Sequence, residues 1–143
     1  MAKVIAVNIS EKKGVVKKTV DRIKLIEDHG IEGDAHAGKW HRQISLLANE
    51  SIDKMRGNGV ELDFGIFAEN ITTQGIEVFT LPVGTKIQIG DTVLEVTQIG
   101  KKCHNGCEIR QIVGDCVMPR EGIFAKVLTG GYIQANDEII ILK

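Results

Sequence analysis

The sequence predicts a mostly β fold: a closed or partly closed barrel of about seven or eight short strands with one or two small helices. Three observations carry this. Glycine is plentiful at 16 residues, proline is scarce at 2, and the glycines punctuate short β-branched runs. A tight-turn dipeptide, Gly90-Asp91, sits between two alternating segments, and Asn136-Asp137 sits between two more. A chain built of so many short strands exposes edges unless its sheet rolls up.

The elements follow in order. Lys3 to Ile9 (KVIAVNI) reads as a strand. Glu11 to Gly14 is a turn, and Val15 to Val20 reads as a further strand. Arg22 to Glu27 (RIKLIE) alternates apolar and polar residues, as a half-buried strand does. His29 to Trp40 holds three glycines and no periodicity, so it reads as a loop. Gln43 to Leu47 is a short apolar strand. Asn49 is suited to cap a helix over about Glu50 to Arg56, stopped by Gly57-Asn58-Gly59. Asp63 to Gly75 shows no clean period and reads as irregular. Lys86 to Ile89 and Thr92 to Ile99 form the clearest hairpin. Gly122 to Leu128 is one more strand, and Tyr132 to Ala135 with Glu138 to Leu142 read as a second hairpin.

The 143 residues amount to one domain, 1–143, and 43% hydrophobic content suffices for one core. No linker or low-complexity run divides it. The net charge of -1 and pI near 6.4 argue against a non-specific nucleic-acid binder. The lysines at 12, 13, 17 and 18 read as solvated strand ends. No run approaches the ~18 apolar residues of a membrane span, and the first residues lack the core of an export signal. A cytoplasmic location is the expectation, with no membrane partner.

All three cysteines fall between Lys101 and Gly122, in KKCHNGCEIRQIVGDCVMPREG. Ile109, Ile112 and Val113 have helical spacing, and Asn105-Gly106-Cys107-Glu108 has the form of a capping box. Cys107 then lies in a first helical turn, whose N–H groups favour a thiolate, and Cys103 lies in the loop before it. Lys101, Lys102 and Arg110 add positive charge. Three readings fit these thiols. They are buried small apolar residues, a reading best suited to Cys116 beside Val117 and Met118. They form a zinc site from Cys103, His104, Cys107 and Cys116. Or they are a reactive set that carries sulfur or ligates a soft metal. Spacing alone does not separate the last two.

The whole chain resembles a stand-alone MOSC domain, the type named after the C-terminal domain of molybdenum cofactor sulfurase. The landmarks run in order: KVIAVNIS at Lys3, GIEGDAHAG at Gly30, RQISLLANES at Arg42, GIFAENITTQGI at Gly65, LPVGTKIQIGDTVLEVTQIGKKC ending at Cys103, and EGIFAKVLTGG followed by NDEIIIL. The resemblance implies a β-rich barrel that binds the molybdenum cofactor (molybdopterin). Its hallmark cysteine falls on Cys103, as sulfur carrier through a persulfide or as molybdenum ligand. Cys107 and Cys116 are additions to that pattern, suited to resolving a persulfide or completing a metal site. His36, Arg42 and Asn70 fall on the family's polar loop positions, so the resemblance makes them cofactor-binding. Lys101, Lys102 and Arg120 join them as basic groups of the barrel mouth, arginine being suited to phosphate. Lys102 stands where the family often has proline.

The expected function is a molybdenum-cofactor-binding sulfur carrier, passing sulfur from Cys103 toward a molybdenum centre. The alternative is a non-enzymatic module that holds the cofactor or zinc through Cys103, His104, Cys107 and Cys116. The chain carries no pyridoxal phosphate domain, so the expected partners are a sulfur donor such as a cysteine desulfurase, and a molybdenum enzyme or cofactor-biosynthesis protein. No nucleic acid is expected. His29 and His41 read as surface residues, Trp40 as packing, and Asp34 as an Asx-turn residue. Arg42 and Arg120 could also pair with Glu69 or Glu121.

Overall fold

The computed structural model describes residues 2–11, 17–35, 37–53, 65, 69–100 and 121–142. Among them run eleven strands: β1 (Lys3–Ile9), β2 (Lys18–Val20), β3 (Arg22–Ile26), β4 (Gly30–Ile31), β5 (Ile44–Ala48), β6 (Ile71–Gln74), β7 (Lys86–Ile89), β8 (Thr92–Ile99), β9 (Ile123–Thr129), β10 (Gly131–Gln134) and β11 (Ile139–Leu142). A short helix, α1 (Asn49–Asp53), follows β5, and a 3-10 turn spans Val78–Thr80. The mostly β expectation is met, with more strands than the seven or eight expected. No helix among the described residues is long and apolar enough to cross a membrane.

Eight strands form one sheet in the order β11-β7-β8-β9-β5-β6-β1-β2, and β10-β3-β4 form a second. Closure into a barrel is not achieved by a ladder, for a reason visible at β1. One edge of β1 pairs with β6. The other edge is divided. Its later half, from Val7 to Ile9, takes β2. Its first residues take the chain before β11: Lys3 bridges Glu138, Val4 N donates to Asp137 O at 2.8 Å, and Asn136 N donates to Val4 O at 2.7 Å. The sheet therefore rolls back on itself and touches at one bridge.

That contact also overturns the second expected hairpin. A turn does form at Asn136, whose φ is 79°, and Gln134 N donates to the Asp137 carboxylate at 2.9 Å. The flanking strands then part, β10 pairing with β3 and β11 with β7. Asn136 N and Asp137 O go to Val4, while Asp137 N only closes the turn onto Gln134 O at 3.3 Å, so no ladder continues between β10 and β11. The β7–β8 hairpin forms as expected, closing at Ile89 and Thr92. Gly90 has φ of 56° while Asp91 stays at negative φ, the pattern of a II′ turn with glycine first.

Both sheets bury one apolar face in a common core. Val7, Leu46, Ile71, Leu94 and Ile123 come from the large sheet, and Ile23, Leu25 and Ile133 from the small one. Strand β5 (ISLLA) is buried at all five positions, so both of its faces are covered. Two elements depart from expectation. Strand β4 lies inside the glycine-rich stretch expected to be loop, and β6 lies in the stretch expected to be irregular.

Candidate functional site

His36, Lys101, Lys102, Cys103, His104, Cys107, Cys116 and Arg120 lie outside the described residues, as does the expected helix over 105–113. The residues that flank them are described, and sheet register shows where each lies.

Strand register lines up six positions in one row across the large sheet. Gln98 of β8 pairs with Phe124 of β9, and Phe124 pairs with Ser45 of β5. Asn70, just before β6, donates its N–H to Ser45 O at 3.1 Å, and Asn8 of β1 donates to Asn70 O at 2.7 Å. Asn8 then pairs with Thr19 of β2. Each row member lies one residue from a core position or opposite one that does, so the row faces away from the core. Five of the six are polar, and four of these join by side-chain bonds. Asn70 Oδ1 accepts from Ser45 N at 2.9 Å and Ser45 Oγ at 3.1 Å, and Asn70 Nδ2 donates to Asn8 O at 3.2 Å. Thr19 Oγ1 donates to Asn8 Oδ1 at 2.7 Å. Asn8 and Asn70 have no exposed surface. Buried polar groups persist only when bonded, and these are.

The row anchors the loops. Gly100 N donates to Gly122 O at 2.7 Å, so the two ends of the 101–120 stretch meet where β8 ends and β9 begins. Gly65 N donates to Glu69 Oε2 at 3.0 Å, closing the ends of 66–68. Glu69 is fully buried; its Oε2 also accepts Thr72 Oγ1 at 2.8 Å, and its backbone O accepts Asn8 Nδ2 at 3.1 Å. Lys17 N donates to Gly65 O at 2.9 Å, so the end of the 12–16 stretch docks there too.

Before residue 36, Ala35 N donates to Ser10 O at 2.8 Å, and Asp34 Oδ1 accepts Ser10 N at 3.1 Å. Lys17 Nζ lies 2.8 Å from the same Asp34 oxygen and 3.0 Å from Ser10 Oγ. Both side chains of the ion pair are fully buried. Lys17 is therefore not a solvated strand end, and Asp34 is more than a turn residue. A buried charge is tolerated here because its counter-charge is in contact. The flanks of 12–16, 36 and 66–68 thus gather at the end of the sheet where β1 finishes and β5 and β6 begin, while 101–120 departs from the opposite end, where β8 finishes and β9 begins.

Arg42, two residues before β5, reaches across β9 toward the root of 101–120. Its Nε donates to Gln98 Oε1 at 3.0 Å, and its guanidinium carbon lies 5.2 Å from the Phe124 ring centroid. Gln98 Nε2 donates to Gly100 O at 2.7 Å, which sets the amide with its oxygen toward Arg42. His41 Nε2 lies 2.9 Å from that oxygen, which requires the proton on Nε2. Thr97 Oγ1 donates to His41 O. Glu121 Oε1 accepts Ser51 Oγ at 2.6 Å. Arg42 thus bonds to an amide instead of to Glu69 or Glu121.

Of the expected site residues, Arg42 is half-buried at the sheet end, and Asn70 is enclosed within the row. No cluster of three or more His, Cys, Asp or Glu able to hold a metal occurs among the described residues. Sequence reasoning missed Gln98, Asn8 and Ser45. Gln98 sits five positions before Cys103, the one signal that could have flagged it.

Three comparisons bear on this arrangement. A model of the MOSC domain matches residues 33–140. No curated protein sequence matches. The crystal structure of the YuaD protein from Bacillus subtilis is similar with TM-score 0.80 and 20% identity, over 97% of this chain and 94% of that one. YiiM from Geobacillus stearothermophilus gives 0.76 and 17%, over 100% and 76% of the two chains. YiiM from Escherichia coli gives 0.73 and 17%, over 100% and 70%. At these identities the three structures show a shared fold.

Proposed function

The chain belongs to the MOSC domain family, a family associated with molybdenum cofactor sulfurase-like proteins, and from that premise we propose that it binds the molybdenum cofactor and carries sulfur on Cys103. One observation supports this most. Arg42 Nε and the Gly100 carbonyl are held by one amide, that of Gln98, so an expected cofactor-binding residue sits beside the root of the segment that bears Cys103. Three residues of chain span at most about 11 Å, so Cys103 stays tethered near Gly100 and hence near Gln98 and Arg42.

The described residues fit such a ligand in part. Arg42 is held by its Nε and by Phe124, and among the described residues its terminal nitrogens have no hydrogen-bond partner. A planar fork in that state suits the phosphate of a pterin cofactor. Asn70 has no exposed surface, so its part is to hold Ser45 and Asn8, and through them the loop ends, in register. When bound, the cofactor supplies a metal centre able to accept sulfur. Lys101, Lys102, Arg120 and His36 complete its binding set in this proposal.

The protein's own step is thiol chemistry. The Cys103 thiolate attacks the outer sulfur of a donor persulfide, such as that of a cysteine desulfurase. A new S–S bond forms on Cys103, and the donor thiolate leaves. The Cys107 thiolate then attacks the inner sulfur, a Cys103–Cys107 disulfide forms, and the outer sulfur leaves as hydrosulfide, the form a molybdenum enzyme's cofactor would take up; cellular thiols reduce the disulfide afterwards. Cytoplasmic conditions, which keep thiols reduced, suit this role.

Intact mass under non-reducing conditions, with peptide mapping, tests the proposal in cells that make the cofactor. An extra sulfur atom on Cys103, removed by reductant and lost in Cys103→Ser, is the expected result. Stoichiometric zinc with unmodified Cys103, Cys107 and Cys116 would replace it with the metal-site reading. Bound pterin without extra sulfur would make the protein a cofactor carrier.

A further inference from the structure

We infer that Gln98 is a positioning residue that aims the Arg42 fork at an oxyanion and links its occupancy to the root of the cysteine segment. The inference rests on the proposed site and adds a residue and a ligand class to it. The class is a phosphate monoester, or any tetrahedral oxyanion offering two oxygens to one guanidinium edge.

One amide makes every bond involved. Gln98 Oε1 accepts Arg42 Nε at 3.0 Å and faces His41 Nε2 at 2.9 Å, which uses both of its lone pairs. Gln98 Nε2 donates to Gly100 O at 2.7 Å. Turning the amide over would set its N–H groups against two donors and its oxygen against a carbonyl. Only one orientation satisfies all three neighbours, so the side chain is fixed. Phe124 lies 5.2 Å from the guanidinium carbon and supports it from the sheet.

This arrangement takes Arg42's inner nitrogen and leaves its terminal pair for a ligand. It also ties Arg42 to Gly100 through a single side chain, and Gly100 in turn holds Gly122 at 2.7 Å. An oxyanion that pulls on the fork therefore pulls on the residue from which the cysteine segment departs. His41 enters as a second donor on the shared oxygen, with its backbone O held by Thr97.

The test uses the full chain and inorganic phosphate, at fixed pH and ionic strength, with chloride as the control anion. Binding is followed through the Arg42 Nε–H resonance, and Cys103 accessibility through its thiol-labelling rate with and without phosphate. In the wild type, phosphate shifts the resonance and changes the Cys103 rate. Gln98→Met removes the amide at similar length. It is expected to weaken phosphate binding about tenfold and to abolish the effect of phosphate on Cys103 labelling. Arg42→Lys keeps the charge without the fork and is expected to lose most binding. Gln98→Asn, too short to reach both partners, gives the same loss as Gln98→Met and serves if that variant does not fold. Phosphate binding within twofold of wild type in either Gln98 variant overturns the inference, as does a wild type whose Arg42 resonance ignores phosphate. No sulfur or molybdenum enters this measurement. Failure to find sulfur on Cys103 would end the sulfur-carrier proposal and leave this result standing.

Discussion

Replacing Asp34 with alanine would take a contacting carboxylate from a buried ammonium. Lys17 Nζ sits 2.8 Å from Asp34 Oδ1, and both side chains are fully buried. Removing one partner of such a pair typically destabilises by about 3–5 kcal/mol, because the remaining charge is uncompensated. A second route to the magnitude agrees. A buried lysine that has lost this carboxylate can shed its proton, and from an ordinary lysine value near 10.4 that costs about 4.6 kcal/mol at pH 7. We expect Asp34→Ala to lose about 4 kcal/mol at pH 7, a large share of the ~5–15 kcal/mol that holds a domain folded.

The proton-shedding route also sets a pH dependence. A buried lysine deprived of this carboxylate binds its proton less tightly folded than unfolded, so the unfolded chain holds more protons in the intervening window. Stability of the variant then rises with pH, by up to about 1.4 kcal/mol per unit. Urea unfolding at pH 7 and pH 9 reads both effects. The deficit of Asp34→Ala should shrink by about 2–3 kcal/mol between them. Adding Lys17→Met to Asp34→Ala should recover stability at pH 7, since no charge is then left behind. A loss under about 1 kcal/mol, or a deficit that ignores pH, would refute the ion-pair account and leave only lost packing.

Two further outcomes follow from the loop anchors. Gly65 has φ of +86°, and a Cβ there would meet Lys17 O at 2.3 Å, whereas Gly33 has φ of +85° with nothing within 4 Å. Gly65→Ala should therefore lose about 2–4 kcal/mol and Gly33→Ala only about 1–2 kcal/mol, and thermal unfolding of the pair separates backbone strain from collision. Asn70→Ala leaves the buried Ser45 N–H and Asn8 C=O without their side-chain partner, so a loss of about 3 kcal/mol is expected by urea titration. A near-neutral Asn70→Ala would mean that the row does not hold the loops.

The parts of the fold legible in the sequence are those where burial alternates with the chain. Strand β1 and the β7–β8 hairpin match the expected bounds because their apolar residues repeat at the strand period and Gly90 supplies the turn. Strand β6 (ITTQ) escaped because Thr72 and Thr73 are buried while polar, which hides the pattern. The second hairpin was misread because turn chemistry at Asn136 is local, and the competitor for its backbone, Val4, is more than 130 positions away along the chain. For the site, Arg42 and Asn70 were legible through the family resemblance. Gln98 was not, since a glutamine in an alternating strand looks like an ordinary solvent-facing residue.

The division of labour within the large sheet links fold and site more closely than either reading alone. Val7, Leu46, Ile71 and Ile123 face the core. Asn8, Ser45, Asn70 and Phe124, each one residue along, form the row on the opposite side. Side-chain direction in a strand has a period of two, so a slip of one residue in β1, β5 or β6 would exchange the two sets. It would bury Asn8, Ser45 or Asn70 among aliphatic groups without partners and turn Val7, Leu46 or Ile71 toward the loops. The apolar residues therefore fix the register, and the register sets the roots of 12–16, 36 and 66–68 at one end of the sheet and the root of 101–120 at the other. A substitution in the core can then disable the site with no residue of the site altered, if it loosens the pairing of β5 with β6. A parallel pair joined through α1 and residues 54–70 is where we expect that coupling to be strongest.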